Sequence, residues 1–213
     1  MLKRIGACTV IAIAATAAPA LAANPAGVAD TGSAAFGNDD IQVSIAPIAP
    51  CSVDGQTTAD AGMRAAYGVK FTSGTSSCTR TVLDADTSTT ETLATAEGTG
   101  FELSALVPAG GPRIRIDKWR VACTGTQVGT NVTWSYEGMS GLSALPDPVP
   151  KNYVREIRKV DETLLATATF NAVTYSSPND GSIAMSMLRI RFEPGSGMTG
   201  EVLLGNTACS PTP

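Results

Sequence analysis

Cysteine supplies the clearest chemistry in this sequence. Four thiols, Cys51, Cys78, Cys123 and Cys209, are spread through the body of the chain, and a fifth, Cys8, sits near its start. Thiols of this kind either ligate a metal or join in pairs. Zinc is disfavoured, because the chain has no histidine and no C-x-x-C spacing. An even count in an exported chain reads as two disulfides. Of the three pairings, Cys51–Cys78 with Cys123–Cys209 is the expected one. The first closes a local loop, and the second ties the last strand to a central one. Each would stabilise the fold by roughly 3–5 kcal/mol on the chain-entropy account.

The absence of histidine also removes Ser-His-Asp and Cys-His catalysis and His-metal sites. Gly138-Met139-Ser140-Gly141 lacks the spacing of a nucleophile elbow, and no Ser-x-x-Lys occurs. A glycosidase needs only two carboxylates about 5–10 Å apart. Asp84, Asp86, Glu91, Glu97 and Glu102 are the candidates for such a pair, so a carboxylate-dependent hydrolase stands as one alternative. Acids in a Thr/Ser-rich stretch are more simply solvated, and no enzyme activity is expected. Asp84-Ala85-Asp86-Thr87-Ser88 imitates the start of a calcium loop. It has Thr89 where the sixth-position glycine belongs and Thr95 at the twelfth position. With Asp39-Asp40 as the other weak candidate, no metal or cofactor is expected.

Aromatic residues offer a third kind of chemistry. Trp119, Trp134 and Tyr136, with Tyr153 and Tyr175, would stack on sugar rings if exposed together, which makes a carbohydrate-binding module the other alternative. The plainer expectation is that Trp119 and Trp134 anchor a core short of large rings. Arg113, Arg115, Arg189 and Arg191 face outward on their strands and would form a basic stripe if those strands paired. Asn131-Val132-Thr133 matches a glycosylation sequon, idle in a bacterial setting.

These residues sit on strands. From Ser182 to Cys209 the chain reads as a hairpin: Leu188, Ile190 and Phe192 share one parity, Arg189 and Arg191 the other. Pro194, Gly195, Ser196 and Gly197 supply the turn. Further strands are expected at 41–45, 65–71, 78–83, 101–107, 114–123, 132–136 and 164–175, with 74–77 as a turn. At Lys118 the apolar parity changes from Ile114 and Ile116 to Trp119, Val121 and Cys123, the pattern of a β-bulge. Segment 51–62 reads as polar and turn-like. Segment 84–100 reads either as a loop or as a strand near Thr92–Ala96. Pro146, Pro148 and Pro150 mark 142–152 as a loop, and 153–160 suits an edge strand or a helical turn. About nine to ten short strands with few helices predict an all-β, antiparallel β-sandwich, disulfide-stapled; a barrel is the alternative.

The chain opens with Lys3 and Arg4, an apolar run over 10–18 and Ala20-Leu21-Ala22, the order of a secretory signal peptide at 1–22. Cys8 follows Ile5-Gly6-Ala7 but precedes the apolar run, so it is read as part of the leader rather than as a lipid-bearing residue. A flexible arm is expected at 23–37, a single domain at 38–209 and a tail at 210–213. The 213-residue chain has 15 basic and 19 acidic residues; without Lys3 and Arg4 its net charge is −6. That balance argues against nucleic acid and against an anionic membrane surface. No membrane span is expected after signal cleavage.

Phe101-Glu102-Leu103-Ser104-Ala105-Leu106, Ile183 to Phe192 and Gly200-Glu201-Val202-Leu203-Leu204-Gly205-Asn206-Thr207-Ala208-Cys209, after an Ala/Gly-rich start, resemble the choice-of-anchor P family of actinobacterial exported proteins. The resemblance spans 35–209. It implies a secreted or cell-surface β domain of uncharacterised role and carries no catalytic residues. Ser210-Pro211-Thr212-Pro213 shows no sorting motif, apolar tail or basic end, so free secretion is expected over anchoring in cis. The function expected is that of a secreted, non-enzymatic β-sandwich with a structural or interaction role at or outside the cell envelope. Its partner would be an extracellular protein or glycan.

Overall fold

A computed structural model describes residues 26–142 and 144–212; the expected signal peptide and Cys8 lie outside them. Thirteen strands form two antiparallel sheets: β1 Gly27–Gly37, β2 Gln42–Ile45, β3 Cys51–Ser52, β4 Thr58–Ala61, β5 Arg64–Ala66, β6 Val69–Asp84, β7 Thr89–Leu103, β8 Ile114–Thr126, β9 Gly129–Glu137, β10 Tyr153–Arg158, β11 Leu164–Tyr175, β12 Ile183–Phe192 and β13 Thr199–Cys209. The first sheet runs β10-β11-β12-β13-β1-β2, with β3 also on β1. The second runs β4-β6-β7-β8-β9, with β5 also on β6. From residue 26 the chain therefore runs first through the first sheet, builds the second as near-sequential hairpins, and returns to complete the first. The expected sandwich is the observed architecture, with short β3, β4 and β5 raising the strand number.

Alternate side chains from each sheet fill the space between them. Phe71, Phe101, Leu103, Ile114 and Ile116 come from the second sheet, and Leu165, Phe170, Leu188, Ile190 and Leu204 from the first, all essentially inaccessible to water. Phe71 and Phe101 meet at 5.3 Å between ring centroids, and Phe36 and Phe192 at 4.7 Å. Tilted rings at such distances gain beyond their burial alone.

Both disulfides form as expected, Cys51–Cys78 and Cys123–Cys209. Each joins one sheet to the other, β3 to β6 and β8 to β13. They constrain sheet-to-sheet docking rather than a single hairpin.

The arm expected at 23–37 is corrected over most of its length. Strand β1 lies between β13 and β2, and Ala29, Thr31, Ala34 and Phe36 are buried. Its Ala, Gly and Ser side chains show weak hydrophobic contrast, yet two flanking ladders satisfy its backbone. Residues 210 and 212 of the expected tail are hydrogen-bonded to the sandwich. Ser210 N–H donates to Ala26 O, Thr212 N–H to Thr126 O, and Thr212 Oγ1 to Thr90 O. Segment 74–77 is no turn but the middle of 16-residue β6. There Gly74 makes room for Thr31, whose side chain would clash with a Cβ. In the stretch 51–62, β3 and β4 flank a turn at 53–55, so only part of the turn-like reading holds. Tyr67 leaves the predicted strand, which breaks at Tyr67-Gly68 between β5 and β6. The chain after Leu103 winds into a 3-10 turn at Val107–Ala109. Tyr153–Arg158 takes the edge-strand option.

The parity switch in β8 falls at Asp117-Lys118, both exposed between buried Ile116 and Trp119. It is not a one-strand bulge. The β7–β8 register is the same on both sides, from Thr99↔Lys118 to Phe101↔Ile116. Gly100, at φ 66°, faces Asp117, and β6 switches at Thr72-Ser73. All three strands bend together: the ladders skip Gly100 opposite Thr72 and Asp117, and the register resumes unchanged beyond it. A matching line crosses the first sheet through Thr31, Gly205 (φ 63°), Met187 and Asn171 (φ 50°).

Candidate binding groove

The aromatic candidates separate. Trp119 on β8 points between the sheets and is 2% exposed. This is the core-anchoring role expected of it, and the alternative in which Trp119 is a ligand-facing ring is corrected: strand parity places it on the core side, with Gly98 leaving the space its indole fills. Its Nε1 is buried and has no hydrogen-bond partner among the described residues. Trp134 and Tyr136, two apart on edge strand β9, are half-buried against the core. Their rings lie 5.9 Å apart with planes 16° from parallel. Because they stack on each other, each spends part of its face on its neighbour.

The arginine stripe does not form. Arg115 belongs to the second sheet, with Arg113 just ahead of β8, and Arg189 and Arg191 belong to the first. Glu102 Oε2 accepts from Arg115 Nε at 2.9 Å, Oε1 pairs with Arg113 Nη1 at 2.5 Å, and Arg189 Nε sits 3.1 Å from Glu201 Oε2. Hydrogen bonding from Arg115 holds the Glu102 carboxyl below the usual range, which is the wrong direction for a general acid. Asp84 is also lowered, chiefly by the Thr87 side chain, and it caps the turn at the tip of the β6–β7 hairpin through the N–H groups of Asp86 and Thr87. Asp39 and Asp40 sit in the β1–β2 turn, where Asn38 Oδ1 accepts from the N–H groups of Asp40 and Ile41. Among the described residues, no group of three or more Cys, Asp or Glu side chains is placed to hold a metal ion.

Glu97 is the candidate acid that reaches a concave surface. The outer face of the second sheet carries a groove of about 680 Å³, within the roughly 300–1,000 Å³ range of ligand sites. Strand register builds it from three cross-strand rows. Asp60, Thr75, Glu97, Arg120 and Ser135 form one rim. Ser73, Thr99, Lys118 and Glu137 form the other. Between them, Gly74, Gly98 and Trp119 leave only backbone on the outer side, because Trp119 and the space beside the two glycines belong to the core.

Same-face rows on a strand lie about 7 Å apart, and four strand spacings span about 19 Å. The groove is therefore a trough running across the strands, wide enough for one extended chain. Its rims mix four short hydroxyls, Ser73, Thr75, Thr99 and Ser135, with five charged side chains. Ser73 Oγ and Thr99 Oγ1 are 2.8 Å apart, and Lys118 Nζ lies 3.2 Å from Glu137 Oε2. Glu97 and Arg120 face each other across the β7–β8 pair. Such a surface offers both donors and acceptors and suits hydrogen bonding to a polar ligand. Of the groove's lining the sequence marked Glu97 on a rim, and Trp119 and Tyr136 in the row between the rims. The other rim residues are ordinary Ser, Thr and charged residues whose alignment depends on a five-strand register.

No protein-family model matches this chain, and neither a curated protein nor a solved structure is significantly similar to it. Among the described residues, no helix is long and apolar enough to cross a membrane. The two disulfides are compatible with a place outside the reducing cytoplasm.

Proposed function

We propose that this chain is an exported, non-enzymatic β-sandwich with an interaction role at or outside the cell envelope, and that the groove across β6–β9 is its contact surface. The observation that carries this is the placement of both disulfides between the sheets. A scaffold braced in that way keeps the groove register fixed where no chaperone or reductant attends it. The partner is an extracellular protein or glycan, bound through hydrogen bonds along the two rims. The likeness of Gly200–Cys209 to choice-of-anchor P proteins belongs to the same proposal.

The test uses isolated envelope material and the oxidised protein in a sedimentation assay. Wild type should be retained saturably, and Thr99→Arg, which fills the groove from an exposed rim position, should lose at least about tenfold in apparent affinity. Equal retention of the two proteins, or none of either, overturns the assignment of the groove.

A further inference from the structure

The first sheet carries a different feature on its outer face, remote from the groove. Asp30, Asn206 and Ser186 stand side by side on β1, β13 and β12. Ser186 Oγ donates to Asn206 Oδ1 at 2.6 Å, and Asn206 Nδ2 donates to Asp30 Oδ1 at 2.8 Å. The Gly32 N–H also donates to the carboxyl. The ladder thus runs in one direction and terminates on an anion.

Among the described residues, that anion has no ion-pair partner. Arg189 is the other charged residue lining the recess, and its Nε is engaged by Glu201. Burial pushes the Asp30 carboxyl up to about 6, against the opposing hydrogen bonds from Asn206 and Gly32. A desolvated carboxylate short of a counter-ion is a costly group to keep. The recess above it holds about 390 Å³. It exists because Ala172, Ala184 and Ala208 put almost nothing above the sheet there, with Leu203 beside them.

The unused valences of Asp30 and Ser186 are all acceptors, since the Ser186 proton is already directed to Asn206. A fitting ligand must therefore bring donors and positive charge, and must cover a small aliphatic platform. We propose that this recess binds a primary ammonium group carried on a short aliphatic body, with Asp30 as counter-ion and Ser186 as second acceptor. The ammonium supplies three donors and no acceptor, and its chain lies over the alanines.

Titration of the isotopically labelled, oxidised full chain with n-butylammonium chloride tests this, with n-butanol as the uncharged control of matched length. At about pH 7.5, above the carboxyl's titration, the Asn206 side-chain amide and Gly32 backbone amide resonances should shift saturably with the ammonium. The alcohol should bind at least about tenfold more weakly, the loss expected for a charge-assisted contact. Asp30→Asn, which keeps shape and the Asn206 contact, should abolish the preference. Ala184→Leu should block binding by filling the recess with Asp30 intact. Equal response to alcohol and ammonium, full affinity in Asp30→Asn, or no shift in wild type each overturns the proposal. None of these outcomes bears on the groove of the other sheet.

Discussion

The indole of Trp119 occupies the space where Gly98, its cross-strand partner, would carry a side chain. Two neighbours on adjacent strands thus share one volume, and only one of them can have a Cβ. That arrangement seats the one fully buried tryptophan over Gly205 of the opposite sheet, 3.2 Å from where a Cβ there would stand. It also leaves the outer side of the row bare, which makes the floor of the groove.

Gly98→Ala should therefore damage core and groove together. Displacing a packed indole is an overpacking change, expected to cost about 1–3 kcal/mol. The urea midpoint should fall by the corresponding amount with an unchanged m-value. A midpoint equal to wild type would mean that Trp119 has room to move.

The two tryptophans should also differ in solvent contact. In Trp134→Phe the remaining Trp119 should be poorly quenched by acrylamide, whereas in Trp119→Phe the half-buried Trp134 should be quenched several-fold more strongly. Equal quenching would restore Trp119 as a ligand-facing ring and with it the carbohydrate-binding alternative.

Much of this was legible beforehand because strand parity is a strong signal where large side chains alternate with charged ones. Leu188, Ile190 and Phe192 against Arg189 and Arg191 mark β12 plainly, and the four cysteines beyond the expected signal peptide, in a chain without histidine, mark the disulfides. Strand β1 escaped because Ala29, Ala34 and Ala35 contrast too little with Ser33 and Gly32. Segment 74–77 misled because a glycine that admits Thr31 from the facing sheet looks like a turn glycine. The groove was invisible for a different reason. Its rims are rows across strands, and sequence separation between β4 and β9 hides that adjacency.

Acidity offers a third check. The Asp30 carboxyl titrates at about 6 in the fold against an ordinary 3.8. Between those values the folded chain holds a proton that the unfolded chain has released, so this group's contribution to stability falls as pH rises through about 4 to 6. Above that window the loss is complete, at most about 3 kcal/mol. Asp30→Asn is neutral throughout. It should match wild type near pH 4 and exceed it near pH 8, as urea midpoints at the two values would show. A gap that is equal at both, or reversed, contradicts the burial of this carboxyl.

The disulfides should differ in strength. Cys51–Cys78 spans 27 residues and Cys123–Cys209 spans 86. The longer loop constrains the unfolded chain more, about 4–5 kcal/mol against about 3–4. Paired Cys→Ala variants compared by thermal unfolding should rank in that order, with Cys123→Ala/Cys209→Ala the less stable. The reverse ranking would mean that loop entropy does not control their contribution.

Cysteine state in protein recovered from outside the cytoplasm tests the account at its base. Non-reducing peptide mapping with thiol alkylation should return two linked pairs, Cys51 with Cys78 and Cys123 with Cys209, and no alkylated thiol at any of the four. Alkylation at these positions, or a different pairing, would contradict a sandwich whose sheets are bolted to each other.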